Sequence, residues 1–326
     1  MDALSSFLDG PRARAAFMVR VVMESPWSIS VEDRAPIAVL PMLSGEAWLD
    51  PLDGSDPMHF VAGDLVIVRG PDDYVMSGRP GEAPNVAIID PGVCRPLDDT
   101  VIVERMDLGV RTWGNCADGP DQFLVGNYRT DGEVSRWLLD SLPRFVVLRH
   151  DEWASPLLPL LADEMRRDQT GQQVVLDRLL DLLFVSALRE VFAGADANAP
   201  AWFGANADPV VGKVVRMMQD EPEQPWTVAN LASAVGVSRA LLARRFHEVT
   251  GEPPMTFLTR WRMALAADLM LERDATVTSV AAAVGYSSPF TFSTAFKRAH
   301  GLSPRDYRIA RTAAADVPDD AVTLDA

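Results

Sequence analysis

The apolar positions of this chain change their period twice. From Trp27 to about Val147 they fall in short runs, at 29–31, 38–43, 47–49, 65–68 and 86–89. Between them stand turn signals such as Asp53-Gly54, Ala62-Gly63-Asp64 and Gly70-Pro71-Asp72. Many short strands at this spacing predict a sandwich or barrel of the jelly-roll type. Past residue 156 the spacing turns helical. Leu157, Leu158, Leu160 and Leu161 open a first segment, and 172–192 is apolar over more than half of a helix circumference. That is more than packing on one barrel wall requires. Either the surplus face, with Leu176, Leu179, Leu180 and Leu183, forms a homodimer contact, or the helix is sandwiched between two domains.

The last hundred residues repeat one pattern. Thr227-Val228, Leu231-Ala232, Val235-Gly236-Val237-Ser238, Leu242, Phe246 and Gly251 return as Thr276-Val277, Val280-Ala281, Val284-Gly285-Tyr286-Ser287, Phe292, Phe296 and Gly301. The offset is 49 residues up to the turn and 50 beyond it. Each copy reads as helix-turn-helix. A small Ala232 or Ala281 stands where helices cross, and Gly236 or Gly285 takes the positive φ of the turn. Ser238 is the expected N-cap of the second helix, and Ser288-Pro289 the equivalent in the second copy. Burying Leu242 with Phe246, and Phe292 with Phe296, leaves Arg239, Ala240, Ala243, Arg244 and His247 outward in copy one. In copy two it leaves Pro289, Phe290, Ser293, Thr294 and Lys297. Residues 254–272 read as a connecting helix of roughly 28 Å. Successive major-groove faces lie about 34 Å apart, so a strut of this length can set both second helices on one side of a duplex.

A net charge of −16 argues against a nucleic-acid partner until it is divided along the chain. Residues 209–312 carry 13 Lys+Arg against 9 Asp+Glu, or +4, including both lysines, Lys213 and Lys297. Residues 1–208 carry −16 and the tail −4. A modestly basic reading domain predicts modest non-specific affinity with strong salt dependence. Two cysteines without a CxxC spacing indicate neither a disulfide scaffold nor structural zinc. No signal peptide or membrane-length apolar stretch is evident, which predicts a cytoplasmic protein.

Residues 209–311 resemble the AraC/XylS transcription regulators through the paired motifs and the closing Gly301-Leu302-Ser303-Pro304-Arg305-Asp306-Tyr307-Arg308 stretch, in which Ser303 and Asp306 also suit a capping box. The resemblance implies base contacts from Ala240, Ala243 and Arg244 in copy one and from Phe290, Ser293 and Thr294 in copy two. Arg239 joins the first reading face, while Lys297, Arg298, Arg305 and Arg308 are expected to hold phosphates. Residues 1–150 resemble the cupin-type sensor of such regulators through Gly45-Glu46-Ala47-Trp48, Phe60-x-x-Gly63-Asp64 and Ile89-Asp90-Pro91-Gly92-x-Cys94. The expected organisation is multidomain α+β. A cupin-like β-barrel (1–150) precedes a helical dimerisation segment (151–194), a linker (195–208), an all-α double helix-turn-helix (209–312) and an acidic tail (313–326).

A cupin enzyme is the rival reading. Its metal site would need about three histidines or a histidine–carboxylate set. Outside the DNA-reading half only His59 and His150 remain, so neither catalytic residues nor a metal or other cofactor are expected. Trp27, Trp48, Tyr74, Trp113 and Trp137 either line a pocket for a small effector or are simply core. A branch of these regulators responds to reactive chlorine species through cysteine oxidation. Cys94 lies in the stretch resembling that branch, with Arg95 beside it to lower its pKa, and Cys116 is the second redox candidate. A structural role for either cysteine is the alternative. The expected partners are double-stranded DNA, a second copy of the chain, a small effector and, for an activator, RNA polymerase.

Overall fold

The computed structural model describes residues 17–98, 101–128, 132–134, 136, 142–167, 169–193 and 208–315. The chain divides into two compact units, residues 13–130 with 143–191 and residues 131–142 with 192–319.

The first unit is a pair of six-stranded sheets. One holds β1 (Phe17–Met23), β3 (Ile37–Ser44), β6 (Leu65–Arg69), β10 (Thr112–Gly114), β11 (Asp121–Tyr128) and β12 (Phe145–Leu148), in the order β10-β1-β11-β3-β6-β12. The other holds β2 (Ser28–Val31), β4 (Glu46–Asp50), β5 (Met58–Val61), β7 (Tyr74–Ser77), β8 (Val86–Asp90) and β9 (Val93–Pro96), in the order β5-β4-β7-β2-β8-β9. All five expected strand runs lie within β2, β3, β4, β6 and β8. The inner faces meet in one core that contains Trp27, Leu40, Phe60, Val66, Met76 and Phe123.

This core answers the question posed by the aromatic residues. Trp27, Tyr74 and Trp113 are buried members of it, and Trp27 donates its indole N–H to Asp121 at 2.9 Å. Trp48 stacks on His59 at 4.5 Å, with neither ring in the core. Three of the candidate aromatics, Trp27, Tyr74 and Trp113, therefore fill the sandwich, and Trp48 packs outside its core. Trp137 lies outside the described residues.

Two helices complete this unit, α1 (Leu157–Met165) and α2 (Gln172–Ala193). In α2, Leu176, Leu180 and Leu183 are fully buried within the chain, and Phe184 stacks on Tyr128 of β11 at 4.8 Å. The expectation that these leucines face a second copy is corrected: all three are buried within one chain, Leu180 against Gly126 of β11. α2 leaves Val174 outward at 63% exposure and, on one stripe, Val175 and Leu182 at 43% and 55%, with the half-buried Leu179 between the last two. Among the described residues no helix is long and apolar enough to cross a membrane.

The helical unit runs through α3 (Val211–Asp220), α4 (Val228–Ala234), α5 (Arg239–Thr250), α6 (Pro254–Leu269), α7 (Val277–Ala283), α8 (Pro289–His300) and α9 (Pro304–Ala315). The connecting helix α6 stops three residues before the expected end, with Met270 as its C-cap, so it spans about 24 Å. Around it, Met263, Ala266, Ala267, Val280, Phe292, Phe296 and Tyr307 form one core.

Candidate nucleic-acid interface

The two helix pairs α4–α5 and α7–α8 are built by the same local chemistry. Thr227 accepts the N–H of Asn230, whose side chain accepts the N–H of Thr227 in return. Thr276 and Ser279 repeat this reciprocal cap on α7. Gly236 and Gly285 take φ of +72° and +77° at the two turns, and Gly251 and Gly301 end α5 and α8 in the left-handed region. Ser238 caps α5 by accepting the N–H of Leu241. The expected equivalent at Ser288 differs: its side chain makes no capping bond, and Pro289 at the first helical position removes one of the free N–H groups instead.

Burial then sorts the two second helices. Leu242 and Phe246 are at 0% exposure on α5, as are Phe292 and Phe296 on α8. Arg239, Ala240, Arg244 and His247 are exposed on α5, with Ala243 half-buried between them. Arg244 reaches Glu248 at 3.6 Å, one turn along the same face, and both side chains stay largely in solvent. On α8, Phe290 is 82% exposed, Thr294, Lys297 and Arg298 are exposed, and Ser293 is half-buried. Ser293 donates its hydroxyl to Pro289 O at 2.8 Å, and Thr294 donates to Phe290 O at 3.0 Å. Their oxygens face outward as acceptors, since each hydroxyl proton is already committed.

Arg305 is exposed at the start of α9, but Arg308 is not placed as expected. Its guanidinium donates to the carbonyls of Met270 at 2.7 Å, Glu272 at 3.2 Å and Ala275 at 2.6 Å. It therefore closes the α6–α7 connection, and the expectation that it holds a phosphate is corrected. Arg262 on α6 does similar work for the other copy, donating to Pro222 O and Gln224 O at 2.7 Å each. Its guanidinium also crowds the turn of copy two, where a β-carbon on Gly285 would lie 2.6 Å from Arg262 Nη2. One arginine thus touches the approach to copy one and the turn of copy two, which ties the spacing of the two pairs to the strut. The sequence signal for it was faint: one of three charged residues, with Arg260 and Asp268, in a mostly apolar helix.

Candidates in the sandwich unit fare differently. Cys94 on β9 packs against the core, and burial pushes its thiol up to about 11. Arg95 points its charge at Glu32, at 3.6 Å. The expected activation of Cys94 by Arg95 is therefore corrected. Cys116 is a free, half-buried thiol. His59 pairs with Glu46 at 2.9 Å. Asp64 is fully buried; burial alone would raise its pKa, but bonds from His150, Val61 and Arg149 hold it below the usual carboxylate range. An open cleft of ≈ 700 Å³ lies beside this cluster, lined by Met42, His150, Trp153, Leu158, Asp163 and Arg166 among others.

Comparison with known proteins finds two families along the chain. Residues 2–193 match a family described as Cupin, and residues 231–310 one described as Helix-turn-helix domain. A putative AraC-like transcription regulator of Streptomyces lividans is 30% identical, over 94% of this chain and 98% of its own. The HTH-type transcriptional regulator AlkR of Acinetobacter baylyi is 27% identical, over 94% and 99%. The RCS-specific HTH-type transcriptional activator RclR of Escherichia coli is 31% identical over 53% of this chain and 63% of its own length.

Proposed function

The chain belongs to the AraC-like transcription regulators, and from that premise we propose that it reads an operator with α5 and α8 together and is controlled by a small effector bound to its sandwich unit. The observation that carries the first half is the duplication itself. Two reciprocally capped helices and two left-handed glycine turns each present a second helix with an exposed outer face. In this reading Arg239, Ala240, Ala243 and Arg244 meet base edges in one major-groove segment. Phe290, Ser293 and Thr294 meet them in the next, and Lys297, Arg298 and Arg305 hold phosphates.

The effector site we favour is the cleft beside Trp153. The sandwich interior is filled, whereas the cleft offers apolar Met42, Trp153 and Leu158 next to the charged Arg166. That combination suits a small amphipathic molecule. Pairing of two copies would use the outward stripe Val175, Leu179 and Leu182. An effector that alters this pairing alters whether two reading units reach their half-sites together. We place this action in the cytoplasm, with RNA polymerase as a further partner where the regulator activates. Redox control through Cys94 is the alternative. It draws on the likeness to the RCS-specific RclR, and the half-buried, protonated thiol speaks against it.

Selection of duplexes from a random pool, followed by hydroxyl-radical footprinting, tests the core of this reading. The expected outcome is two protected patches on one side of the duplex, about one helical turn apart. A single patch, or no enrichment, rejects reading by two heads.

A further inference from the structure

The helical unit holds a stretch of chain besides residues 192–319. It also contains residues 131–142, which in sequence lie between β11 and β12. Asp268 receives this stretch. Its carboxylate accepts the N–H of Glu133 at 2.6 Å and the N–H of Val134 at 3.2 Å, where a helical turn begins. An aspartate in the last turn of α6 opposes that helix's own dipole, so α6 gains nothing from it. As a cap for a second segment it is well placed. Asp268 is also largely removed from water, and burial lifts its pKa to about 6 while the two N–H donors act in the other direction. Gly132 leaves room for it, since a β-carbon there would lie 3.1 Å from Asp268 Oδ2.

The next residue makes a second anchor. The Glu133 carboxylate accepts from Tyr307 Oη at 3.1 Å, Arg311 Nη2 at 3.2 Å and Arg136 Nη1 at 2.8 Å. Glu133 and Arg136 also line a cleft of ≈ 1080 Å³ whose other side includes Phe290, Thr294 and Arg298 of α8. The docked segment thus lies beside the second reading helix. It sets the Glu133 carboxylate on the wall of the cleft that Arg298 also lines, paired with Arg311 at 3.2 Å.

We propose that Asp268, Tyr307 and Arg311 form a docking surface for this chain's own Gly132, Glu133 and Val134, and that docking there and engagement of DNA by α8 oppose each other. The proposal rests on the reading that α8 enters the groove. Its consequence is that DNA affinity responds to whatever holds or releases the connection between β11 and β12.

The test uses the full chain and a duplex that the wild type has enriched from a random pool. Dissociation constants are measured for the wild type, Glu133→Ala, Asp268→Asn and Phe290→Ala, and deuterium uptake is followed in the peptide spanning 131–142. Glu133→Ala and Asp268→Asn are expected to bind at least about fivefold more tightly, the lower end of coupling between linked equilibria. Uptake in 131–142 should rise when the wild type binds the duplex. Unchanged or weaker binding by both variants, with uptake unaltered by DNA, overturns the proposal and makes the segment a permanent part of the fold. Should Asp268→Asn not fold, Glu133→Ala decides alone. If Phe290→Ala leaves affinity unchanged, the placement of α8 in the groove fails instead, a result distinct from the first.

Discussion

Leu180 closes over Gly126 so tightly that a β-carbon on that glycine would lie 2.6 Å from Leu180 Cδ2. Two residues further along β11, and one turn further along α2, Tyr128 stacks on Phe184. The period of two on the strand and of four on the helix keep these pairs on facing surfaces. The face of α2 that carries Leu180 and Phe184 is therefore taken by its own sheet.

Gly126→Ala should accordingly destabilise the sandwich unit. Overpacking of this kind costs about 1–3 kcal/mol. Urea unfolding of the variant would show a lower midpoint at unchanged slope, and Leu180→Ala combined with it should cost less than the two changes added. Strict additivity would mean that the helix moves aside freely.

The outward stripe gives a second prediction. Val175→Lys with Leu182→Glu should yield a folded monomer by sedimentation, because both side chains are exposed within one chain. Polar changes at Leu176, Leu180 or Leu183 should instead unfold the protein. A dimer that survives the double change places the contact elsewhere.

The contrast shows where sequence reading stopped. Periodicity located α2 and its apolar character, but not which part of its circumference the sheet takes; that depends on a strand partner some fifty residues earlier, at Gly126. The helix-turn-helix pairs were legible down to their turns and buried faces because each is set by contacts within about twenty residues. Arg308 looked like a phosphate ligand because the chain alone does not reveal three unpaired carbonyls at Met270, Glu272 and Ala275. Asp268 and Glu133 meet across 135 residues, with no local pattern to announce them.

The Cys94 thiol, raised to about 11, predicts slow alkylation. The thiolate is the reacting species, so at pH 7 only about one molecule in ten thousand is primed, against a few per cent for an ordinary cysteine. Iodoacetamide labelling of a Cys116→Ser variant should be far slower than that of a free thiol and should climb steadily up to about pH 11. Cys94→Ser should leave operator affinity unchanged. Rapid labelling at neutral pH would restore the redox alternative.

Arg308 and Arg244 should fail in different ways. Arg308→Met strands three carbonyls, a loss of about 1–3 kcal/mol that thermal unfolding of the helical unit would register. Arg244→Ala should leave stability nearly intact, since its pairing with Glu248 is exposed. It should weaken the selected operator more than random duplex, by about 1–3 kcal/mol if its guanidinium meets guanine. Equal loss on both duplexes would make it a phosphate contact.

The two heads should also read unequally. Copy one presents Arg239 and Arg244, whose planar forks can bond two base atoms at once. Copy two presents Phe290, nearly bare to solvent, beside hydroxyls whose protons are given to Pro289 O and Phe290 O. In that conformation such hydroxyls offer acceptors, to an adenine N6 or cytosine N4 amino group, and a phenyl ring suits a thymine methyl. Substituting the operator base by base should therefore give steep, guanine-centred losses under α5. Under α8 the losses should be shallow and lean to A·T pairs, with groove shape weighing as much as base edges. Thr294→Val should sharpen the test, because it removes the acceptor and keeps the bulk: adenine preference under α8 should fall while the α5 half stays as it was. A profile whose steepest positions lie under α8, or a Thr294→Val variant with the wild-type profile, would reverse this division of labour.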